Sequence, residues 1–260
     1  MTQALHVEII GDGPPVVLLH SSGLSGRQWN RLSTTLSQNG FRVIVPDLHG
    51  HGKSPTWPEP TPFSYLEDVA ALVPVLKSHG PAHVVGHSYG GLLALLAALK
   101  ASEAIRSMTL FDPVAFGVLE PRDGAAHAEL AAVPVDWGST EGEHERWLQA
   151  FVDYWGGAGA WASLRPDARA EFIRVGWVVH QGVTTLMTDA TPLEAYIQLA
   201  FPFTFLTGER SPLAARTVVK RLSNAIPGAK LITVPEAGHM APLSHADVVN
   251  KHVLEAVLVR

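Results

Sequence analysis

The sequence contains no cysteine. Disulfides, thiolate zinc sites and a cysteine nucleophile are removed together by that absence. A disulfide-stapled secreted scaffold goes with them. Long apolar runs are missing too: the most apolar stretch, Gly90 to Leu99, is about ten residues, against the ~20 needed to span a bilayer. It reads as a buried helix. No basic face is available either, because 19 Lys and Arg are interspersed among 24 Asp and Glu for a net charge of −5. Neither nucleic acid nor an anionic membrane is an expected partner. The opening, Met1 to Gly13, alternates polar and apolar residues with no positive start before an apolar run. It does not read as a signal peptide, and a cytoplasmic protein is the expectation.

What is present is a chain of 260 residues, 47% of them apolar. That length allows one large domain with an insertion or two small domains. Short unbroken apolar runs recur between turn signals: Val16 to Leu19, Val43 to Val45, His83 to Val85, Met108 to Phe111, Phe203 to Leu206 and Leu231 to Val234. Runs without alternation suit strands buried on both faces of a parallel sheet. An opening strand, His6 to Ile10, alternates instead and ends in Gly11-Asp12-Gly13-Pro14-Pro15, which reads as an edge hairpin. Between the runs lie helical spacings: Trp29, Leu32, Leu36; Leu66, Val69, Leu72, Leu76; and Val249, Val253, Val257. Alternating strands and helices predict a three-layer α/β sandwich around a mostly parallel sheet, with right-handed crossovers.

One interval breaks the rhythm. From Pro113 to Pro202 no comparable strand run appears, whereas Glu143 to Trp155 and Pro166 to Val179 are helical in pattern, with a glycine joint at Gly156 to Gly159. The expectation is a helical cap at residues 113–202 inserted into a core formed by 1–112 and 203–260. Five of the seven tryptophans lie in it. Most should be cap core, with some facing the site as an apolar pocket.

The sharpest local signal is Gly86-His87-Ser88-Tyr89-Gly90-Gly91, between the run His83 to Val85 and the helix Leu92 to Lys100. Strand, sharp turn and helix are the context that makes Gly-x-Ser-x-Gly a nucleophile elbow rather than a chance loop. The turn lifts the Ser88 hydroxyl above the sheet and sets the Tyr89 amide at a helix N-terminus, suited to a developing oxyanion. His20-Ser21-Ser22-Gly23 closes the strand Val16 to Leu19. Here the chain resembles the α/β-hydrolase superfamily, in which a His-Gly-x-Gly turn supplies the second oxyanion-hole amide. The resemblance assigns that amide to Ser22, with Ser21 standing where the family usually has glycine. Asp47-Leu48-His49-Gly50-His51-Gly52-Lys53-Ser54 is similar to the superfamily's Asp-x-x-Gly-x-Gly-x-Ser turn, whose role there is architectural. A metal site at Asp47, His49 and His51 is the weaker reading.

Thirteen histidines make any one of them a poor candidate by type alone. Gly238-His239-Met240 follows the last strand run and precedes the last helix, as the family's base does, and the resemblance implies His239. The acid departs from the family pattern. Where Gly-x-x-Asp is usual after the Phe203 to Leu206 strand, this chain has Gly208-Glu209-Arg210-Ser211. Some family members carry the acid one strand earlier, and Leu110-Phe111-Asp112-Pro113 offers Asp112 there. Asp112 is preferred to Glu209, since a triad is defined by geometry rather than chain position.

These readings imply a serine hydrolase with Ser88 as nucleophile, His239 as base and Asp112 as acid, using Ser22 and Tyr89 as the oxyanion hole. The expected substrate is a small, largely hydrophobic ester or related acyl compound, contacted by Leu24, Trp177 and His180. No metal or organic cofactor is implied. A monomer or small homo-oligomer is expected. The same residues serve C–C bond hydrolases and cofactor-free perhydrolases, and some superfamily members are non-catalytic ligand receptors.

Overall fold

The computed structural model describes residues 4–258. Residues 1–3 of the opening stretch, read above as no signal peptide, therefore lie outside the described residues. Strand β1 (Val7–Ile10) leads to β2 (Pro15–Leu19), α1 (Asn30–Gln38), β3 (Arg42–Pro46), α2 (Tyr65–His79), β4 (Ala82–His87), α3 (Tyr89–Ala98) and β5 (Ile105–Phe111). Helices α4 (Gly124–Ala131), α5 (Glu141–Gly156), α6 (Ala160–Ser163), α7 (Pro166–Leu186) and α8 (Leu193–Ile197) follow without a strand. The chain then re-enters the sheet with β6 (Phe203–Gly208), α9 (Leu213–Ala225), β7 (Lys230–Val234), α10 (Ala241–Ser244) and α11 (Ala246–Leu258). None of the described helices is long and apolar enough to cross a membrane.

The seven strands are ordered β1-β3-β2-β4-β5-β6-β7, and only β1 runs antiparallel. The expected hairpin between β1 and β2 does not form. Instead β1 pairs with β3, from Val7 opposite Pro46 to Ile10 opposite Val43, because β2 is already flanked by β3 and β4. At the other edge β7 departs from a doubly buried strand, with Leu231 44% exposed. An edge strand has a neighbour on one side only, so its apolar residues need not all be covered.

Strand residues alternate between two cores. Val17, Leu19, Ile44, Val84 and Leu110 face α2, α3 and α9, whereas Val16, Leu18, Val43, Val85 and Phe111 face α1 and α11. This is the three-layer sandwich. Burying a side chain such as Leu72 or Phe205 stabilises the fold by about 1.5–3 kcal/mol, and both are fully buried. An exposed ion pair such as Lys77 with Glu103 contributes ~0–1 kcal/mol, so packing rather than surface charge holds the layers. Helix α3 is buried along its whole length, as a helix apolar on every side requires. The α4–α8 segment builds a third cluster, with Trp137, Trp147, Phe151, Trp161 and Phe172 among its members.

Candidate active site

Strand β4 delivers the chain to Ser88 at φ 54 and ψ −117, a positive-φ conformation that L-residues rarely adopt. Two things hold it there. The Ser88 N–H donates to the Phe111 carbonyl at 2.9 Å, continuing the β4–β5 ladder by one residue. In addition, a Cβ at Gly90 would come within 2.5 Å of the Leu19 carbonyl oxygen, so only glycine allows α3 to start this close to β2. The serine hydroxyl is thereby raised at the C-terminal edge of the sheet.

His239 and Asp112 meet it at that edge. His239 Nε2 lies 2.8 Å from Ser88 Oγ, and His239 Nδ1 lies 3.2 Å from Asp112 Oδ2. All three residues are buried. Asp112 ends β5 at φ 43 and its N–H donates to the Leu206 carbonyl at 3.0 Å. Its carboxylate accepts two further hydrogen bonds, from Thr207 Oγ1 to Oδ1 and from Ser211 Oγ to Oδ2, both 2.6 Å. Ser211, the residue standing where the family pattern has its acid, is therefore a donor to the carboxylate that meets His239. Glu209 is exposed and accepts the Glu236 N–H at 2.8 Å. It does not meet His239.

Above Ser88, the turn Ser21 to Leu24 is shaped by its neighbours. Ser21 N–H donates to Gln28 Oε1, Gly23 N–H to His51 Nε2 and Leu24 N–H to the Ser21 carbonyl. The intervening Ser22 N–H has no partner among the described residues. Tyr89, as the first residue of α3, has no intrahelical acceptor for its own N–H. Its phenol donates to Asp68 Oδ2 at 2.8 Å, and Asp68 Oδ1 lies 2.8 Å from His49 Nδ1.

The Asp47 to Ser54 turn is tied internally. Asp47 accepts from Gly26 N–H and Lys53 N–H, and Ser54 Oγ donates to the Asp47 carbonyl. Burial holds His51 down at about 4 and also lowers His20, so both are neutral imidazoles. Each receives a backbone N–H on Nε2, from Leu48 to His20 and from Gly23 to His51.

His87 adds a further connection. Burial, aided by nearby His239, pushes its pKa well below the usual histidine range. As a neutral ring it donates from Nε2 to the His239 carbonyl at 2.9 Å and accepts the Gln28 amide N–H on Nδ1 at 3.1 Å. Gln28 thus bridges the Ser21 turn to the His239 loop. Its only sequence signal was a polar residue beside a glycine-rich turn, which carries little information. Trp155, at the end of α5, lies over His239 with ring centroids 4.2 Å apart. Adjacent Tyr154 donates to Glu129, and Glu129 in turn accepts the Leu213 and Ala214 N–H groups at the start of α9.

Two cavities open onto Ser88. A narrow one of about 80 Å³ is walled by Val114, Phe116, Leu130, Val183 and Leu186. A roomier one of about 520 Å³ is lined by Leu24, Gly157, His239, Met240 and Leu243. Ser22, Ser88, Phe151 and Trp155 line both. Leu24 is thus at the site, but Trp177 and His180 are not. Trp177 donates its indole N–H to the Thr61 carbonyl, and His180 Nε2 donates to the Val135 carbonyl with its ring packed between Trp137 and Trp147. Both lie on the same helical stripe as Thr184 and Met187, which do line the narrow cavity. They sit one or more turns too early along α7, at ~5.4 Å per turn.

The model of the alpha/beta hydrolase family matches residues 16–252. The chain belongs to this family. Among curated relatives of this alpha/beta hydrolase, a pimeloyl-[acyl-carrier protein] methyl ester esterase of Chromobacterium violaceum is 32% identical over 252 residues, covering 93% of each chain. Among solved structures, a hydrolase from Pseudomonas aeruginosa superposes with a TM-score of 0.75 at 22% identity, covering 98% of this chain and 94% of that one. The enol-lactonase of Burkholderia xenovorans gives 0.74 at 20% identity over 96% and 95%. At such identities these structures establish the shared fold of this alpha/beta hydrolase, and the chemistry has to be argued from its site.

Proposed function

We propose that this alpha/beta hydrolase cleaves esters of small, largely hydrophobic substrates through an acyl-enzyme on Ser88. The observation carrying the reading is the continuous line Ser88 Oγ, His239 Nε2, His239 Nδ1, Asp112 Oδ2 beside an apolar cavity. His239 Nε2 takes the hydroxyl proton as Ser88 Oγ attacks the acyl carbon. The Ser22 and Tyr89 N–H groups hold the oxyanion. On collapse the Nε2 proton passes to the leaving alcohol. Water then attacks the acyl-enzyme with the same imidazole as base. Methyl ester hydrolysis by a curated relative supports an ester as the bond. In this reading the enzyme is cytoplasmic, works without a cofactor, and its α4–α8 segment, residues 113–202, is a cap over the site.

The test is a panel of activated esters, lactones, thioesters and β-diketones, run beside labelling with a fluorophosphonate probe. Esters with apolar acyl groups are expected to turn over fastest and Ser88 to be labelled. Preference for highly polar esters would count against the apolar pocket, and β-diketone cleavage without ester cleavage would move the reading to C–C hydrolysis. Failure of labelling would favour a non-catalytic receptor.

Gln28 is a positioning residue in this scheme, because one amide holds both the Ser21 turn and His87. Gln28→Leu keeps the volume and removes both bonds. It is expected to lower kcat by about ten- to a hundredfold, the scale of a small misplacement of reacting groups, with KM nearly unchanged. A raised KM at constant kcat would show that the bridge does not serve the chemical step.

A further inference from the structure

We infer that the two cavities divide the ester between them, the narrow one taking the acyl chain and the roomier one the alcohol. The substrates are then esters of short to medium straight-chain acids with bulky alcohols. This rests on the triad reading above.

The argument starts from the leaving group. When the tetrahedral intermediate collapses, the bond from the acyl carbon to the alcohol oxygen breaks and that oxygen needs the proton on His239 Nε2. The alcohol must therefore leave on the side of the imidazole. Of the two cavities, only the roomier is lined by His239. The carbonyl oxygen turns toward the Ser22 and Tyr89 N–H groups, and Tyr89 lines only the narrow cavity. The remaining substituent on the acyl carbon, its alkyl chain, points into the narrow cavity. Trp155 and Phe151 line both spaces and so form the wall between them.

Size sets the selectivity. The narrow cavity offers about 80 Å³ against about 520 Å³ in the roomier one, so it takes the slimmer substituent, a short to medium acyl chain. Beyond that the cavity reaches Val135 and Met187, 65% and 41% exposed, and further methylenes gain little burial. On the alcohol side the rim carries Gly157 and Gly159 at φ 95 and 82, with nothing within 4 Å of where a Cβ would stand. The rim is open at those two positions, and a bulky alcohol extends past them.

The experiment is a two-way matrix: p-nitrophenyl esters from acetate to dodecanoate, and butyrates of methyl, benzyl and naphthylmethyl alcohols. It is run on the native chain, Val183→Phe in the narrow cavity and Ala158→Trp at the glycine rim. In the native chain kcat/KM is expected to rise about fourfold per methylene up to hexanoate and then level off. Val183→Phe should move that optimum about two carbons shorter while the methyl-to-benzyl ratio stays within about threefold. Ala158→Trp should leave the acyl profile in place and lower naphthylmethyl butyrate by about tenfold or more relative to the methyl ester. The reverse pattern, with Val183→Phe changing alcohol choice and Ala158→Trp changing acyl length, would overturn the assignment, as would a flat acyl profile in the native chain. Thr184→Phe and Ser163→Trp occupy the same two walls and replace a variant that does not fold, with the same expected and overturning results. If the native chain hydrolyses none of the esters and Ser88 resists the fluorophosphonate, the triad reading itself has failed.

Discussion

Ser88→Ala is expected to lower kcat on activated esters by about 10⁵- to 10⁶-fold, or roughly 7–8 kcal/mol of barrier. The residual rate would come from the Ser22 and Tyr89 amides and from substrate binding alone. Folding should survive. Alanine keeps the Cβ that serine already tolerates at φ 54, and the backbone bond from residue 88 to Phe111 is untouched. His239→Ala should fall in the same range, because base and nucleophile act as one unit and their losses do not add. Steady-state assays with a thermal melt of each variant check both statements, and undiminished turnover in Ser88→Ala would remove the nucleophile assignment.

The second large effect is expected at Asp112. An asparagine there offers its amide where a carboxylate oxygen accepted the imidazole N–H, which favours the tautomer with its hydrogen toward Ser88. A loss of about 10⁴-fold in kcat follows from that change. Ser211 can rotate its hydroxyl to accept from the new amide while Thr207 goes on donating to the remaining oxygen, so little stability should be lost. Glu209→Gln should stay within about tenfold, since its carboxylate braces Glu236 on the surface. Adding Ser211→Asp to Asp112→Asn returns a carboxylate within reach of the same imidazole and is expected to restore part of the rate. If Glu209→Gln proved crippling and Asp112→Asn nearly silent, the acid assignment would be wrong, while Ser88 and His239 would stand.

Some of this is legible in the sequence, for identifiable reasons. The central strands could be read because residues buried on both faces leave an unbroken apolar run, and β2, β4 and β5 are of that kind. Edge behaviour was not, because pairing depends on which neighbour is free: β1 found β3 rather than β2. Helix α4 carries no such signal, since Gly124-Ala125-Ala126-His127 presents no apolar stripe. Along α7, a helical pattern does not tell how far along the helix Ser88 stands, and the cavity beside it is lined by Thr184 and Met187 rather than by Trp177 and His180. The unusual serine at position 211 was visible as a departure, whereas its hydrogen bond to Asp112 needed the fold. For Gln28 a polar residue beside a glycine-rich turn says little, because a bridge between two loops is a property of their meeting.

The place of Asp112 also has a bearing on how such a protein can change. Ser88 and Asp112 belong to one β4–α3–β5 unit, locked in register from His87 opposite Phe111. The whole α4–α8 segment is encoded after both. Insertions, deletions or wholesale exchange within 113–202 leave the spacing of Ser88 and Asp112 along the chain untouched, whereas an acid at position 211 would have placed that stretch between them. Leu130, Phe151, Trp155 and Val183, which line the narrow cavity, all belong to that stretch. Of the three residues Ser88, His239 and Asp112, only His239 reaches the others from beyond the stretch.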